Sequence, residues 1–345
     1  MKVPLDYNNS YKVWDLKEYM EDIIDEVMQS ASGEEKLAAD NAIDLDTNCF
    51  HGISQIGNDK KIGFIDGGNA TLLTSPHVHV EFIRVFYVVY QNGKRIVSEK
   101  KEFFSVIKSK QQGESIVFTA KSFGGNYKIE DLEFDSFDKR LSFGNERVSI
   151  ANIAGIIRKL AELKIMEEMI DDMDGGFIVR DGDLEVKLPY EGEIFQRIIK
   201  KCEKNTVGLG GLSKTSSLLT NKGNTLVSSV MKIAPASSWY YYPLIEKLGS
   251  KISVVKLHEK SKFCFRFDYF GDGFEDALSL LQNQSKDISV LGYPYGLYEV
   301  DRFGRVSNED KAYLTSKFLF SIKDQKNLEV LQNSVNFHQI LDNLS

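Results

Sequence analysis

KIGFIDGGN, residues 61–69, decides the fold of this chain, and GFIVRDGD, residues 176–183, repeats its pattern. Each is a short apolar run that ends in an aspartate followed by glycine, which is typical of a buried strand with a turn after it. If the two strands are neighbours, Asp66 and Asp181 project into one crevice at the edge of the sheet. Two carboxylates so close repel each other unless a cation lies between them, so the pair predicts a divalent-metal site.

An Asp-Gly dipeptide taken alone is commonly no more than a turn after a strand. The pair favours a site because both aspartates follow apolar strands and a long helix precedes the second. A third carboxylate fits on that helix, where Glu162, Glu167 and Glu168 occur within two turns. Their spacing alone does not select one of them.

The surrounding sequence predicts a mixed α/β sheet. Asn92-Gly93 separates two β-rich runs, 80–91 and 94–107, which is a strong hairpin signal. Further strands are expected at 115–120 and 262–270, and helices at 147–171, 191–204, 273–284 and 308–320. Strands first, followed by alternating helices and strands, indicate the α/β class.

We expect three parts: an amphipathic N-terminal helix and linker (1–45), a main domain (46–325) and a C-terminal helical tail (326–345). No apolar run reaches the roughly 20 residues that a membrane span needs, and the first residues lack the apolar core of a secretory signal. These features predict a cytoplasmic protein without membrane contact.

The metal-ligand pattern favours oxygen over sulfur or nitrogen. Three scattered cysteines form neither a disulfide framework nor a zinc motif. His77 and His79 share strand spacing, and a solvated strand face or loop is the expected place for them. A metal here would be Mg²⁺ or Mn²⁺, held by carboxylates. The net charge of −7 does not favour a nucleic-acid binder, although a locally basic surface on an acidic chain can still bind phosphates.

GLGGLSKT (208–215) nearly matches the phosphate-binding loop G-x-x-x-x-G-K-[ST]. Ser213 replaces the glycine before Lys214, so the tight backbone nest of such a loop is not expected.

Four segments, in this order, resemble the NurA nucleases, DNA-end-processing enzymes that work with the hexameric HerA translocase. FIDGGN (64–69) is similar to the family's first aspartate motif, and IVRDGDL (178–184) to its strand-plus-DGSL motif, with Asp183 where serine is usual. VGLGGLSKTSSL (207–218) resembles the segment that carries a family lysine, here Lys214. GYPYGLYEVD (292–301) resembles the family's late Tyr-Pro segment.

The resemblance implies a ribonuclease-H-like fold, a mixed sheet flanked by helices with additional antiparallel strands and an N-terminal helix. It selects Glu162 over Glu167 and Glu168, because the family has a glutamate on the helix before its DGSL strand. The implied ligands of Mn²⁺ or Mg²⁺ are Asp66, Glu162, Asp181 and Asp301. Lys214 would stabilise phosphate charge, and Tyr293 would orient DNA or the attacked phosphate, unless it merely packs beside Pro294.

The implied activity is metal-dependent hydrolysis of DNA, by an exonuclease or single-strand endonuclease that is a homodimer and receives DNA ends from a HerA-type hexameric ATPase. Asp301 stands where the family usually has histidine, and an aspartate can still bind Mg²⁺ or Mn²⁺. Two other hypotheses stay open. A non-catalytic NurA-like ring or scaffold subunit would explain Asp301 and Asp183, and an actin-like phosphotransferase would explain Asp66-Gly67-Gly68.

Overall fold

The computed structural model describes residues 20, 23–24, 36–37, 43–55, 57, 59–141, 147–216, 218–247 and 249–323. Its contacts group the chain into two units, residues 1–46 with 217–233 and residues 47–216 with 234–345. In the first unit, β1 (Lys36–Leu37) pairs antiparallel with β2 (Ile43–Asp44). Most of the N-terminal helix and all of the C-terminal tail that the sequence predicts lie outside the described residues, so the three-part division stays a prediction.

One mixed sheet of eleven strands forms the second unit, in the order β3-β11-β12-β13-β10-β9-β4-β5-β6-β7-β8. The strands are β3 (Phe50–Gly52), β4 (Ile62–Thr74), β5 (Val78–Gln91), β6 (Lys94–Gln112), β7 (Ser115–Phe123), β8 (Leu132–Asp135), β9 (Phe177–Asp181), β10 (Gly208–Ser213), β11 (Trp239–Lys247), β12 (Ser250–Lys256) and β13 (Phe265–Phe270). The central strands β4, β9 and β10 are parallel, and the other neighbouring pairs are antiparallel.

The helices are α1 (Ile150–Met169), α2 (Glu191–Asn205), α3 (Leu226–Lys232, in the first unit), α4 (Phe274–Gln284), α5 (Tyr295–Gly304) and α6 (Asn308–Phe320). Side chains alternate between the two faces of a strand. Ile65 and Ile178 therefore join α1 and α2 in one apolar core, while Phe64 and Val179 join α4 and α5 in a second core on the opposite face. No described helix is long and apolar enough to cross a membrane.

The predicted hairpin is confirmed. Asn92 and Gly93 both have positive φ, 51° and 70°, as a two-residue turn between twisted strands requires. The four predicted helices and the strands at 115–120 and 262–270 are present with small changes of boundary. β11, β12 and α5 were not predicted, and α5 is the element that carries Asp301.

Asp66 does not end its strand. β4 continues through Gly67 and Gly68 to Thr74, because β5 pairs with it on the other side, with Asp66 opposite Phe86. Its parallel neighbour β9 pairs only as far as Ile65. The predicted turn at Gly67-Gly68 is therefore wrong, yet Asp66 lies one residue beyond the last pair between β4 and β9.

Two other expectations concern polar segments. All six residues of β10 are buried in the sheet, which agrees with the absence of a nucleotide loop at 208–215. His79 is buried rather than solvated. Its Nε2 lies 2.6 Å from Glu81 Oε2 and its Nδ1 lies 2.9 Å from Thr74 Oγ1, so the histidine belongs to a buried polar network.

Candidate metal centre

Three carboxylates meet where the parallel part of the sheet ends. Asp66, Asp181 and Asp301 each place one oxygen within 4.8 Å of the others. Asp181 is the last residue of β9, and Asp66 lies in the adjacent strand β4, so their parallel pairing brings them together. α5 packs on the same face of the sheet and adds Asp301. The two strand aspartates are neighbours as their pattern predicts.

The carboxyl group of Asp66 is strongly perturbed. Burial, together with the negative charges of Glu162 and Asp181, raises its pKa from 3.8 to about 7. The N–H of Gly67, 2.8 Å from Oδ1, and the charge of Arg158 act in the opposite direction but do not outweigh these effects. A bound cation would favour the ionised form, so this environment suits a metal ligand.

Lys214 directly follows β10, and its ammonium lies between two of the carboxylates. Nζ donates to Asp181 Oδ2 at 2.7 Å and to Asp301 Oδ1 at 2.9 Å. Burial lowers the pKa of Lys214, but its hydrogen bonds and attraction to Asp181 and Asp301 outweigh burial and raise it. The side chain is therefore cationic at neutral pH and neutralises part of the acidic charge.

Tyr293 lies beside this group, just before Pro294. Its ring centre is 5.4 Å from Lys214 Nζ, and the ring packs edge-on against Phe265. Its hydroxyl is buried and has no hydrogen-bond partner within the described ranges. Burial and the nearby aspartates, Asp181 foremost, raise its pKa. A buried hydroxyl without a partner can donate to an oxygen of a bound ligand, so packing and a chemical role are compatible.

Glu162 approaches from the other side of the sheet. It is buried on α1, where its Oε2 accepts from Arg180 Nη2 at 3.3 Å and its Oε1 accepts from Arg158. Arg180 and Asp181 are consecutive residues of β9, so their side chains leave opposite faces. Glu162 consequently pairs with arginines and does not belong to the group of three carboxylates, although its charge reaches Asp66.

The other two helical glutamates point elsewhere. Glu167 pairs with Arg197 at 3.0 Å, and Glu168 Oε1 accepts from Tyr127 at 2.9 Å. Arg158 and Arg180, which surround Glu162, are not among the site residues that the sequence predicts. The only local signal was the i, i+4 spacing of Arg158 and Glu162, a common helix pair.

Gly67 and Gly68 allow close approach of helices on both faces of β4. A Cβ on Gly67 would lie 2.6 Å from Glu162 Oε1, and a Cβ on Gly68 would lie 2.5 Å from the carbonyl oxygen of Gly304 at the end of α5. Glycine therefore permits α1 and α5 to contact the strand directly. The segment is a packed strand and not a phosphate loop, which removes the basis of the phosphotransferase hypothesis.

The donor set fits a divalent cation of the hard type. Carboxylate oxygens are the ligands that such ions prefer. The charge of a metal ion would offset the burial and the negative neighbours that raise the pKa of Asp66. Asp301 occupies the position where the resembling family usually has histidine. Its carboxylate supplies one of the three oxygens of the acidic group, so a metal-binding oxygen is present at that position.

The mixed sheet, with parallel strands at its centre and helices on both faces, defines a ribonuclease-H-like fold. It is similar to the structure of the NurA nuclease from Sulfolobus solfataricus, with a TM-score of 0.51 and 12% sequence identity, over 90% of this chain and 96% of that one. This likeness confirms the fold that the sequence motifs implied.

Two further structures are less similar. The catalytic domain of human endonuclease V gives a TM-score of 0.35 at 11% identity, over 70% of this chain and 80% of that one. Aa-Ago with externally bound siRNA gives 0.33 at 12% identity, over 72% of this chain and 28% of that one. No family model matches the sequence, and no curated protein matches it either.

Proposed function

We propose that the protein is a divalent-metal-dependent DNA nuclease that hydrolyses phosphodiester bonds. The observation that carries this proposal is the convergence of Asp66, Asp181 and Asp301, with one oxygen each within 4.8 Å, in a chain with the fold of a NurA nuclease. Asp66, Asp181 and Asp301 would hold Mn²⁺ or Mg²⁺. When bound, such an ion supplies Lewis-acid activation of the phosphodiester and lowers the pKa of an attacking water.

The remaining side chains act on the phosphate. Lys214 already lies between two carboxylates and offers its positive charge to a phosphate oxygen. The hydroxyl of Tyr293, which has no hydrogen-bond partner in the part of the chain that the structure describes, donates a hydrogen bond that orients the same phosphate. Because arginines occupy both oxygens of Glu162, we assign that residue to positioning Arg158 and Arg180 instead of its predicted role as a ligand.

The proposed partners rest on the resemblance of the sequence motifs to those of the NurA nucleases. The order of the four motif segments and the NurA-like fold support a homodimer that processes single- or double-stranded DNA ends, as an exonuclease or single-strand endonuclease, with a HerA-type hexameric ATPase. A cytoplasmic location belongs to the same proposal.

The decisive experiment is digestion of end-labelled single- and double-stranded DNA in Mn²⁺, Mg²⁺ or EDTA. Asp66→Asn is run beside the wild type, and Asp131→Asn serves as the control, because Asp131 is exposed and pairs only with Lys121 at 3.1 Å among the described residues. Cleavage that needs metal and is lost only in Asp66→Asn supports the proposal. Cleavage that survives Asp66→Asn places the chemistry elsewhere.

A non-catalytic ring or scaffold subunit is the second candidate. The observation that favours it is the ammonium of Lys214, which holds Asp181 and Asp301 in ion pairs that a metal must replace. Absence of cleavage even with a HerA-type motor, together with absence of Mn²⁺ binding by calorimetry, would make this the better description.

A further inference from the structure

The C-terminal end of α5, with the residue that follows it, presents an exposed aromatic ring between two arginines. Phe303 is 47% exposed, and the guanidinium carbon of Arg302 lies 5.7 Å from its ring centre. The side chain of Arg305 is 72% exposed. No described residue forms an ion pair with Arg302, so its charge is available to a ligand.

The sheet holds this turn in place. The ring of Phe303 packs against Phe86 of β5, with ring centres 5.3 Å apart. The carbonyl of Gly304 fits against Gly68, where no Cβ intervenes. Arg84 Nη1 donates to the carbonyl of Arg305 at 3.1 Å. One side of the Phe303 ring is thus supported by protein while the ring remains accessible to solvent.

The same turn is joined to the candidate metal centre. Arg305 Nη2 donates to Asp301 Oδ2 at 3.0 Å, one helical turn away. A nucleic-acid strand with a phosphate at the carboxylates would therefore reach Phe303 within a short distance along its backbone. The guanidinium of Arg305 is shared with Asp301, whereas that of Arg302 has no ion-pair partner among the described residues. The full positive charge of Arg302 exceeds the roughly half negative charge of a helix C-terminus, so this end of the helix attracts phosphate despite the acidic chain.

We propose that Phe303, Arg302 and Arg305 form a strand-binding platform, in which Phe303 stacks on an unpaired nucleobase and the arginines bind the flanking phosphates. This inference rests on the proposed nuclease function and specifies that the bound part of its substrate is single-stranded. Stacking on an aromatic side chain requires a base released from its duplex, and aromatic rings beside positive charge are the usual means of binding single strands. The strand next to the reacting phosphate is therefore single-stranded DNA.

The test measures binding separately from cleavage. Fluorescence anisotropy with a phosphorothioate-linked single-stranded oligonucleotide in Mn²⁺ gives Kd at several salt concentrations. Phe303→Ala should weaken binding about 5- to 100-fold without changing the salt dependence, and Phe303→Trp should restore it. Arg302→Gln should lower the slope of log Kd against log salt by about 0.7, the value for one phosphate contact on a single strand.

The chain offers a matched control at the far end of the sheet. The segment after β8, the edge strand of the sheet, contains Phe137 and Arg140. Phe137 is 54% exposed, and the side chain of Arg140 is 59% exposed. Phe137→Ala and Arg140→Gln should leave both affinity and salt slope unchanged. Thermal unfolding of each variant checks that the fold is intact.

The outcomes separate the two proposals. If the wild type cleaves DNA and Phe303→Ala binds the oligonucleotide as tightly as Phe137→Ala does, the platform is overturned and the nuclease stands. If the wild type neither binds nor cleaves DNA, both fail. Equal losses of affinity for single strands and for blunt duplex would also overturn base stacking, since a blunt duplex offers no unpaired base.

Discussion

Replacing Asp66 with asparagine should stabilise the metal-free protein, and more so at higher pH. The pKa of Asp66 is about 7 in the folded protein against an ordinary 3.8, so between these values the folded state holds a proton that the unfolded chain releases. The free energy of unfolding therefore falls as the pH rises from about 4 to about 7. The perturbed Asp66 lowers the free energy of unfolding by at most about 4 kcal/mol at pH 8, where it is ionised in the folded protein. At pH 5, where the folded protein keeps it protonated, the loss is less than about 2 kcal/mol.

Asparagine removes this charge and keeps an oxygen that can accept from the N–H of Gly67. Thermal unfolding followed by circular dichroism in EDTA, at pH 5 and pH 8, measures the effect. At about 1.5 °C per kcal/mol for a chain of 345 residues, Asp66→Asn should gain about 4 °C more in Tm at pH 8 than at pH 5. Added Mn²⁺ should raise the Tm of the wild type, since binding to the folded state stabilises it, and should raise that of the variant much less.

Asp131→Asn is the control, because it removes an exposed aspartate whose ion pair with Lys121 contributes at most about 1 kcal/mol. Its Tm should change little at either pH. Equal effects of Asp66→Asn at pH 5 and pH 8 would refute the reasoning, since burial and the neighbouring negative charges would then not disfavour the ionised form of Asp66.

Three further predictions concern the surroundings of Asp66. Lys214→Gln should tighten Mn²⁺ binding in calorimetry, because it removes the cation between Asp181 and Asp301. The same variant should lower kcat for DNA cleavage about 100-fold. Weaker binding of Mn²⁺ would contradict the prediction. Gly68→Ala should lower the free energy of unfolding, measured in urea, by about 1–3 kcal/mol, because its Cβ would meet the Gly304 carbonyl at 2.5 Å. Gly155→Ala in α1 is the control. A Cβ there would meet nothing within 4 Å, so this variant should raise the free energy of unfolding by about 0.5–1 kcal/mol. Asp301→His should retain metal-dependent cleavage if that position is a ligand, and a large loss with intact folding would show that aspartate is specifically required.

Local patterns in the sequence were sufficient for much of the fold. The hairpin follows from Asn92-Gly93, whose positive φ angles suit the turn, and α1 follows from apolar residues that recur every three or four positions. The strand that ends at Asp181 was likewise evident. β11 and α5 were missed because aromatic residues and short segments are compatible with both strand and helix, and their packing decides between these states.

Only part of the candidate metal centre could be predicted from the sequence. The paired strand–aspartate motifs indicated Asp66 and Asp181, and the resemblance to the NurA nucleases added Lys214, Tyr293 and Asp301, which the structure brings to the same place. The same resemblance selected Glu162 as a ligand, but helical periodicity does not specify which partners a buried glutamate meets. Arg158 and Arg180 hold it on the other face of the sheet.

The sequence by itself determined which residues carry charge and where strands and helices can form, because these depend on side-chain chemistry and on periodicities of a few residues. The tertiary structure decided which carboxylates share a site. Asp66 and Asp301 are 235 positions apart in the chain, and they meet because β4 pairs with β9 and because α5 packs against Gly68. Such long-range pairing depends on the packing of the whole sheet, which no local pattern contains.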